Sequence, residues 1–151
     1  MIRLVTDRDT KAWLELAREV EPLFGGMADN EDFKNEIKRC IRASSALCVV
    51  NDDSDIEGIV AFDKARNEIC WLAVREKSRS KRYGRELLNA ALSCMDGERP
   101  VFVQTFAPEV KVGEAARKLY IRFGFKDYRE AGENPAGINT IIMKLERRGG
   151  R

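Results

Sequence analysis

Histidine is absent from this 151-residue sequence, and its absence restricts the chemistry open to the chain. Catalytic triads that depend on histidine are excluded, so a general base must be a carboxylate, a tyrosine, a water molecule or a chain terminus. Cysteine is scarce, and its four copies lack the CxxC spacing of zinc and redox sites, so we expect no metal ion. Because each cysteine has apolar neighbours, we expect buried, reduced thiols at Cys40, Cys48, Cys70 and Cys94.

Long apolar runs and a strong net charge are also missing. No stretch is apolar enough to cross a bilayer or to form the core of a signal peptide, so the sequence predicts a soluble, cytoplasmic protein. Charged residues make up 34% of the chain, but the net charge is only +2. So small a net charge argues against an electrostatic attraction of the whole protein to nucleic acid or membranes. The length suits one domain, which we place at residues 1–146, followed by a tail at 147–151 that we expect to be disordered.

The most informative stretch is a short apolar run that leads through a basic turn into an amphipathic pattern. Residues Ile69 to Val74 form an unbroken apolar run, long enough for a buried strand and too short for a helix. After the turn, apolar or small residues recur every three or four positions, as on one face of a helix. These positions are Gly84, Leu87, Leu88, Ala91, Leu92 and Met95.

A strand, a basic turn and a helix in succession suit the binding of an anion. The first turn of a helix carries amide N–H groups without helical partners and the positive end of the helix dipole. Gly84 leaves room for the close approach of a ligand, and Ser78 or Ser80 is placed to cap the helix. We interpret the turn as a pyrophosphate cradle, although a solvated basic loop at the start of a helix is the plainer alternative. Its cations are Arg79, Lys81, Arg82 and Arg85.

Apolar patterns along the rest of the chain predict the order β-α-α-β-β-β-α-β-α-β-β. The asparagine- and aspartate-rich turn at residues 51–55 predicts a β-hairpin, and Gly124 predicts the end of the last helix. One strand–helix–strand unit within a mostly antiparallel set indicates a mixed seven-stranded sheet of the α/β (α+β) class with helices on both faces. The predicted strands are 2–5, 46–50, 56–62, 69–74, 101–106, 125–129 and 138–145.

The first two predicted helices carry several acidic residues with few opposing charges. A solvated acidic surface explains them, and an attraction for a cationic amine substrate is the sharper alternative. The residues are Glu19, Glu21, Asp29, Glu31, Asp32 and Glu36.

Two motifs resemble those of the Gcn5-related N-acetyltransferase (GNAT) superfamily. The cradle is similar to the family's acetyl-CoA-binding signature, in which Gln or Arg is followed by two residues, Gly, one residue, and Gly or Ala. Arg79 and Gly84 match this signature, and Arg82 stands where the first glycine is usual. The run from Ala116 to Phe125 resembles the family's late helix, with Gly113 in place of the usual asparagine. The order of elements is also the family's order over nearly the whole chain, and the resemblance implies the acyl-CoA N-acyltransferase fold.

The resemblance also implies roles for individual residues. The backbone of Leu72, Ala73 and Val74 would pair with the pantetheine arm of acetyl-CoA, and Tyr120 would protonate the departing sulfur, unless it is only a core aromatic. The other implied cofactor-binding residues are Arg79, Ser80, Lys81, Arg82, Tyr83, Gly84 and Arg85.

A glutamate that begins the central strand is the best-placed carboxylate for a base. Glu68 resembles the glutamate that draws a proton through water in the histone-acetylating branch of the family, and strict alternation would put it on the same strand face as Cys70 and Leu72. A solvated strand end is the plainer reading of Glu68. Glu21 is a weaker rival, and a water chain without a dedicated residue is a third alternative.

The resemblance therefore implies an N-acetyltransferase that moves an acetyl group from acetyl-CoA to a primary amine by direct attack, without a metal ion. A non-catalytic CoA-binding or protein-interaction module with the same fold is the main alternative. A nucleic-acid-binding domain that uses the basic run is a weaker one, since only Tyr83 is available there for base stacking. The amine acceptor is a small molecule or a peptide that the sequence does not identify. By resemblance, the segments 24–27 and 133–137 would line the site that binds it. The oligomeric state, a homodimer included, is left open, and we expect no nucleic-acid or membrane partner.

Overall fold

The computed structural model describes residues 1–79 and 81–147, in which the elements follow the predicted order with one short helix added. The strands are β1 (Ile2–Leu4), β2 (Ala46–Val50), β3 (Ile56–Asp63), β4 (Glu68–Val74), β5 (Val101–Phe106), β6 (Lys126–Glu133) and β7 (Asn139–Leu145). The helices are α1 (Thr10–Glu19), α2 (Glu21–Phe24), α3 (Glu31–Arg42), α4 (Tyr83–Cys94) and α5 (Glu114–Arg122).

All seven strands form one sheet in the order β1-β2-β3-β4-β5-β7-β6. Only β4 and β5 are parallel neighbours, and every other adjacent pair is antiparallel. A parallel pair needs a crossover connection, and α4 supplies it. The mixed, mostly antiparallel seven-stranded sheet that the sequence predicts is therefore confirmed.

Helices cover the two faces of the sheet and enclose two apolar cores. The side chains of Leu88 on α4 and Tyr120 on α5 belong to one core, whereas Trp13 on α1 and Ile37 on α3 belong to the other. Strand β2 shows why two cores form, because its side chains alternate between them along a fully buried strand. Leu47 and Val49 face the α4–α5 core, and Ala46, Cys48 and Val50 face the α1–α3 core.

The predicted first helix is divided in the structure. Helix α1 ends at Glu19, and α2 follows after Val20 with Pro22 in its first turn, where the missing N–H of proline costs no helical hydrogen bond. Gly25 ends α2 with a φ of 100°, a conformation that disfavours other residues. The next helix starts where the sequence predicts, because the side chain of Asn30 caps it by accepting hydrogen bonds from two backbone N–H groups.

The expectation of four buried thiols is wrong for two of them. Cys40 and Cys48 are buried, whereas Cys70 and Cys94 are exposed. Cys94 is the last residue of α4, where the apolar face of the helix no longer decides burial. Cys70 lies at a β-bulge, which removes it from the regular alternation of the strand.

Within the described ranges, no helix combines the length and the apolar composition that crossing a bilayer requires. Arg147, the first residue of the expected tail, donates a hydrogen bond from Nη1 to the carbonyl oxygen of Leu92 over 3.1 Å. Residues 148–151 lie outside the described part of the chain.

Candidate active site

A cleft of about 850 Å³ opens where β4 and β5 separate. The two strands are in register only at Glu68 with Phe102 and at Ile69 with Val103. Beyond these pairs β4 continues for five more residues with β3 as its strand partner, so its other edge faces the cleft. The three residues expected to contact pantetheine, Leu72, Ala73 and Val74, all line this cleft.

The basic turn contributes the cationic part of the lining, which we call the cationic end of the cleft, and helix α4 begins within this turn at Tyr83. Arg79, Arg82, Tyr83, Gly84 and Arg85 line the cleft, whereas Lys81 does not, and Ser80 lies outside the described residues. Most of the predicted cradle is therefore assembled at one place.

The N-cap of α4 differs from the prediction. Arg82 occupies that position with a φ of 68°, in the left-handed region that favours glycine. This conformation gives a physical reason for the glycine that the family signature usually has there. Ser78 does not cap the helix, because it lies in a 3₁₀ turn at Glu76–Ser78 and its hydroxyl donates to Glu57.

A buried carboxylate from β3 holds the start of the turn. Glu57 is only 4% exposed, and it accepts hydrogen bonds from the hydroxyl of Ser78 and, over 2.8 Å, from the side-chain amide of Asn51. Its backbone carbonyl accepts from the N–H of Arg75, also over 2.8 Å. Because a buried carboxylate needs such partners, this network fixes the turn to β3.

A second carboxylate holds the turn from the side of α1. Glu19 accepts a hydrogen bond from the backbone N–H of Glu76 over 2.7 Å, and it forms an ion pair with Arg75 at 3.7 Å. The guanidinium of Arg75 also donates to the carbonyl of Ile56 over 2.9 Å. Elements on both sides of the turn thus position the backbone that precedes Arg79.

Helix α5 contributes two cations that the sequence reasoning missed, Lys118 and Arg122, which both line the cleft. Their spacing of four residues puts them on one face of the helix, a signal that was available in the sequence. No carboxylate belongs to the described residues that line the cleft. The charged part of the site is therefore entirely cationic, which suits a ligand with several phosphate groups.

Tyr120 lies at the wall of the cleft and is 5% exposed. Its ring packs edge-on against Phe125, with ring centroids 5.5 Å apart. Burial raises the pKa of Tyr120 well above its ordinary value, so its hydroxyl stays protonated at physiological pH. The structure therefore shows Tyr120 as a core aromatic that also borders the cleft, and its role as an acid stays a prediction.

Glu68 is not brought to the cleft, and the expectation that it shares a strand face with Leu72 is wrong. The register passes from Ala61 with Trp71 to Phe62 with Ile69, so Cys70 is the extra residue of a bulge. The bulge turns Ile69 to the same core as Leu72, and Glu68 then points to the opposite face. Burial raises the pKa of Glu68, and Arg66, whose guanidinium lies 3.9 Å from it, partly offsets that effect.

The acidic residues of the first helices have more opposing charges than the sequence suggests. Four of them form ion pairs, and none of the six lines the cleft. The pairs are Glu19 with Arg75, Asp29 with Arg18, Glu31 with Lys34, and Glu36 with Arg39. These contacts favour the interpretation of a solvated acidic surface over that of an amine-attracting patch.

A second group of lining residues is apolar, and we call it the apolar end of the cleft. Val20, Leu23 and Phe24 line it from the α1–α2 region, and Phe106 lines it from the end of β5. Gly113 lies directly behind Phe106, and a Cβ at this position would be less than 3.0 Å from three atoms of the Phe106 side chain. The glycine that replaces the family's usual asparagine is therefore required by the position of Phe106.

Comparisons with known proteins agree with this geometry. A family model described as an acetyltransferase (GNAT) domain matches residues 16–147. The chain belongs to the GNAT acetyltransferase family. The resemblance seen in the sequence is thereby confirmed, while no protein of curated function matches the chain.

Solved structures show the same GNAT fold over nearly the whole chain. A GNAT-family acetyltransferase from Bacillus cereus is 19% identical, with a TM-score of 0.75, over 97% of this chain and 96% of the other. The PaiA N-acetyltransferase from Thermoplasma acidophilum, in complex with coenzyme A, is 20% identical, with a TM-score of 0.75, over 97% and 98%. The ribosomal-protein-S18-alanine N-acetyltransferase from Escherichia coli is 15% identical, with a TM-score of 0.74, over 100% and 96%.

Proposed function

We propose that the protein transfers an acetyl group from acetyl-CoA to a primary amine. The observation that carries this proposal is the position of the cationic turn at one end of the cleft between β4 and β5. The phosphates of acetyl-CoA would bind the first turn of α4 and the guanidinium groups of Arg79, Arg82 and Arg85. Lys118 and Arg122 supply two further cations on the facing helix.

The separated edge of β4 suits the pantetheine arm. Leu72, Ala73 and Val74 pair with β3 on one side, and no strand covers their other side within the described part of the chain. Backbone N–H and C=O groups on that edge would bind the amide groups of pantetheine, as an added strand would. A backbone N–H there would also polarise the thioester carbonyl.

The reaction then proceeds by direct attack. The amine nitrogen attacks the thioester carbonyl carbon, the C–N bond forms and the C–S bond breaks. Tyr120 donates its proton to the departing sulfur and regains one from water, and the amine nitrogen loses a proton to water. Burial makes Tyr120 a weaker acid, but it also raises the proton affinity of a thiolate in the same apolar cleft, so the transfer remains feasible.

Of the candidate acceptors for the proton of the amine, a chain of water molecules fits the cleft best. Glu68 lies away from the cleft, and the described lining contains no carboxylate. The neutral amine is then supplied by the solution equilibrium, and the rate should rise with pH toward the pKa of the acceptor amine.

Thiol release from acetyl-CoA in the presence of a panel of primary amines tests the proposal. We expect release that depends on an amine, and we expect Arg79→Ala to raise the KM for acetyl-CoA. Lys64→Ala, which removes an exposed cation after β3, serves as the matched control. Binding of coenzyme A without thiol release for any amine would instead support a non-catalytic CoA-binding module.

A further inference from the structure

The apolar end of the cleft has a rigid aromatic wall. The rings of Phe24 and Phe106 stack with centroids 5.7 Å apart and an angle of 18°. Phe24 also contacts Trp71 at 6.5 Å, and Trp71 packs in turn against Phe33 at 6.2 Å and Trp13 at 5.9 Å. Since these rings come from α1, α2, α3, β4 and β5, the packing of the whole domain fixes the wall.

The described lining of the cleft offers no carboxylate as a partner for a second ammonium group. The described lining of the cleft contains Arg and Lys but no carboxylate. Glu19, next to Val20, is engaged by Arg75 and by the N–H of Glu76, and Glu21 and Glu133 do not belong to the lining of the cleft. A diamine or polyamine would place a further ammonium group in a cleft whose charged lining is entirely cationic, without a carboxylate in that lining to pair with it, which is unfavourable.

A contact between two distant segments lies next to Phe24 in the chain. The side-chain amide of Asn134, in the β6–β7 loop, donates to the carbonyl of Leu23 over 2.9 Å. Beside it, a Cβ on Gly25 would lie 2.6 Å from the Cβ of Pro135, so the two backbones touch. A peptide chain that passed between Phe24 and the β6–β7 loop would have to break this contact, whereas a small molecule bound at Phe24 would leave it intact.

We propose that the acceptor is a small monoamine whose amino group is carried on an aromatic or other apolar group. This inference rests on the proposed acetyl transfer and adds the class of acceptor to it. The apolar group packs against Phe24 and Phe106, and the amino group points along the cleft toward β4. Phe24 is then a specificity-determining residue, and Gly113 is a positioning residue that lets Phe106 occupy its place.

Matched amines test the class of acceptor. Phenethylamine, hexylamine, 1,6-diaminohexane, spermidine and an alanine-initiated tetrapeptide are compared for kcat/KM at one pH, with acetyl-CoA saturating. We expect the two monoamines to exceed the diamine, spermidine and the tetrapeptide by about tenfold or more. Equal or faster turnover of the diamine, spermidine or the tetrapeptide would overturn this inference and leave acetyl transfer standing. If none of the five amines were acetylated although coenzyme A still bound, both the acceptor class and the proposed acetyl transfer would be overturned.

Variants of Phe24 test whether this residue determines the choice among amine acceptors. Phe24→Ala should lower kcat/KM for phenethylamine about tenfold and change the KM for acetyl-CoA little, and Phe24→Leu should restore most of the loss. Tyr128→Ala removes an exposed aromatic residue of β6 and is the control. Thermal stabilisation by coenzyme A verifies that each variant is folded. A folded Phe24→Ala variant with an unchanged preference among the amines would contradict the assignment.

Discussion

The two ends of the cleft are built in different ways. The cationic end comes mainly from one continuous stretch, Arg79 to Arg85, with Lys118 and Arg122 added from α5. The apolar end is assembled from residues far apart in the sequence, such as Phe24, Phe106 and Gly113. Binding of an anion at a helix start is a local property, whereas an aromatic wall exists only after long-range packing. Changes at one end should therefore affect acetyl-CoA, and changes at the other should affect the amine.

The largest expected effect is at Tyr120, which lies at the wall of the cleft. Tyr120→Phe keeps the ring against Phe125 but removes the hydroxyl, so kcat should fall by roughly 10²-fold. The affinity for coenzyme A should change little, since the cationic end is untouched. Steady-state kinetics together with calorimetric titration of coenzyme A measure both quantities. An unchanged kcat in a folded variant would remove Tyr120 from the mechanism.

A change in the buried network that supports the basic turn should alter the KM for acetyl-CoA alone. Glu57→Gln replaces one acceptor of the buried network by a donor, so the hydrogen bonds from Ser78 and Asn51 are no longer both satisfied. We expect the KM for acetyl-CoA to rise about tenfold while the KM for the amine stays the same. The stability of the variant is measured alongside.

An exposed glutamate provides the comparison for Glu57. Glu130→Gln on β6 makes the same chemical change without touching the turn. If Glu57→Gln altered the KM values for both substrates equally, the network would be part of the general core rather than a support for the turn.

The corresponding change at the apolar end is Gly113→Ala. The added methyl group overlaps Phe106, and overpacking of this kind costs about 1–3 kcal/mol of folding free energy. Because Phe106 must shift, we expect the KM for the amine to rise several-fold and the KM for acetyl-CoA to stay nearly constant. Denaturant unfolding and kinetics are the measurements.

Gly97→Ala is the control for that change, since the nearest described atom to a Cβ there is Nη2 of Arg147 at an ordinary 3.5 Å. A Gly113→Ala variant as stable as Gly97→Ala, with wild-type kinetics, would show that the position of Phe106 does not depend on the glycine.

The smallest expected effect is at Glu68. Glu68→Gln should leave the pH dependence of kcat/KM unmoved, because the bulge at Cys70 directs this residue away from the cleft. Burial raises its pKa, so the folded state favours the protonated carboxyl, and that preference is lost as the pH rises through the raised pKa. The uncharged glutamine should therefore be slightly stabilising at neutral pH. A shifted limb in the pH–rate profile would restore Glu68 as a candidate base.

Patterns within single segments predicted most of the fold and the cationic turn. The alternation of strands, the period of α4 and the cap at Asn30 are local signals, and the structure follows them. The bulge at Cys70 was not predictable, because it is a property of how β4 pairs with β3. The support of the turn by Glu57 depends likewise on a contact with Ser78 across 21 residues.

Hydrogen exchange of backbone amides, measured with and without coenzyme A, tests the central claim most directly. If the first turn of α4 holds the phosphates, the amides of Tyr83, Gly84 and Arg85 should exchange more slowly in the complex, and those of β6 should be unchanged. Coenzyme A that bound without slowing these three amides, or that failed to bind at all, would contradict the account.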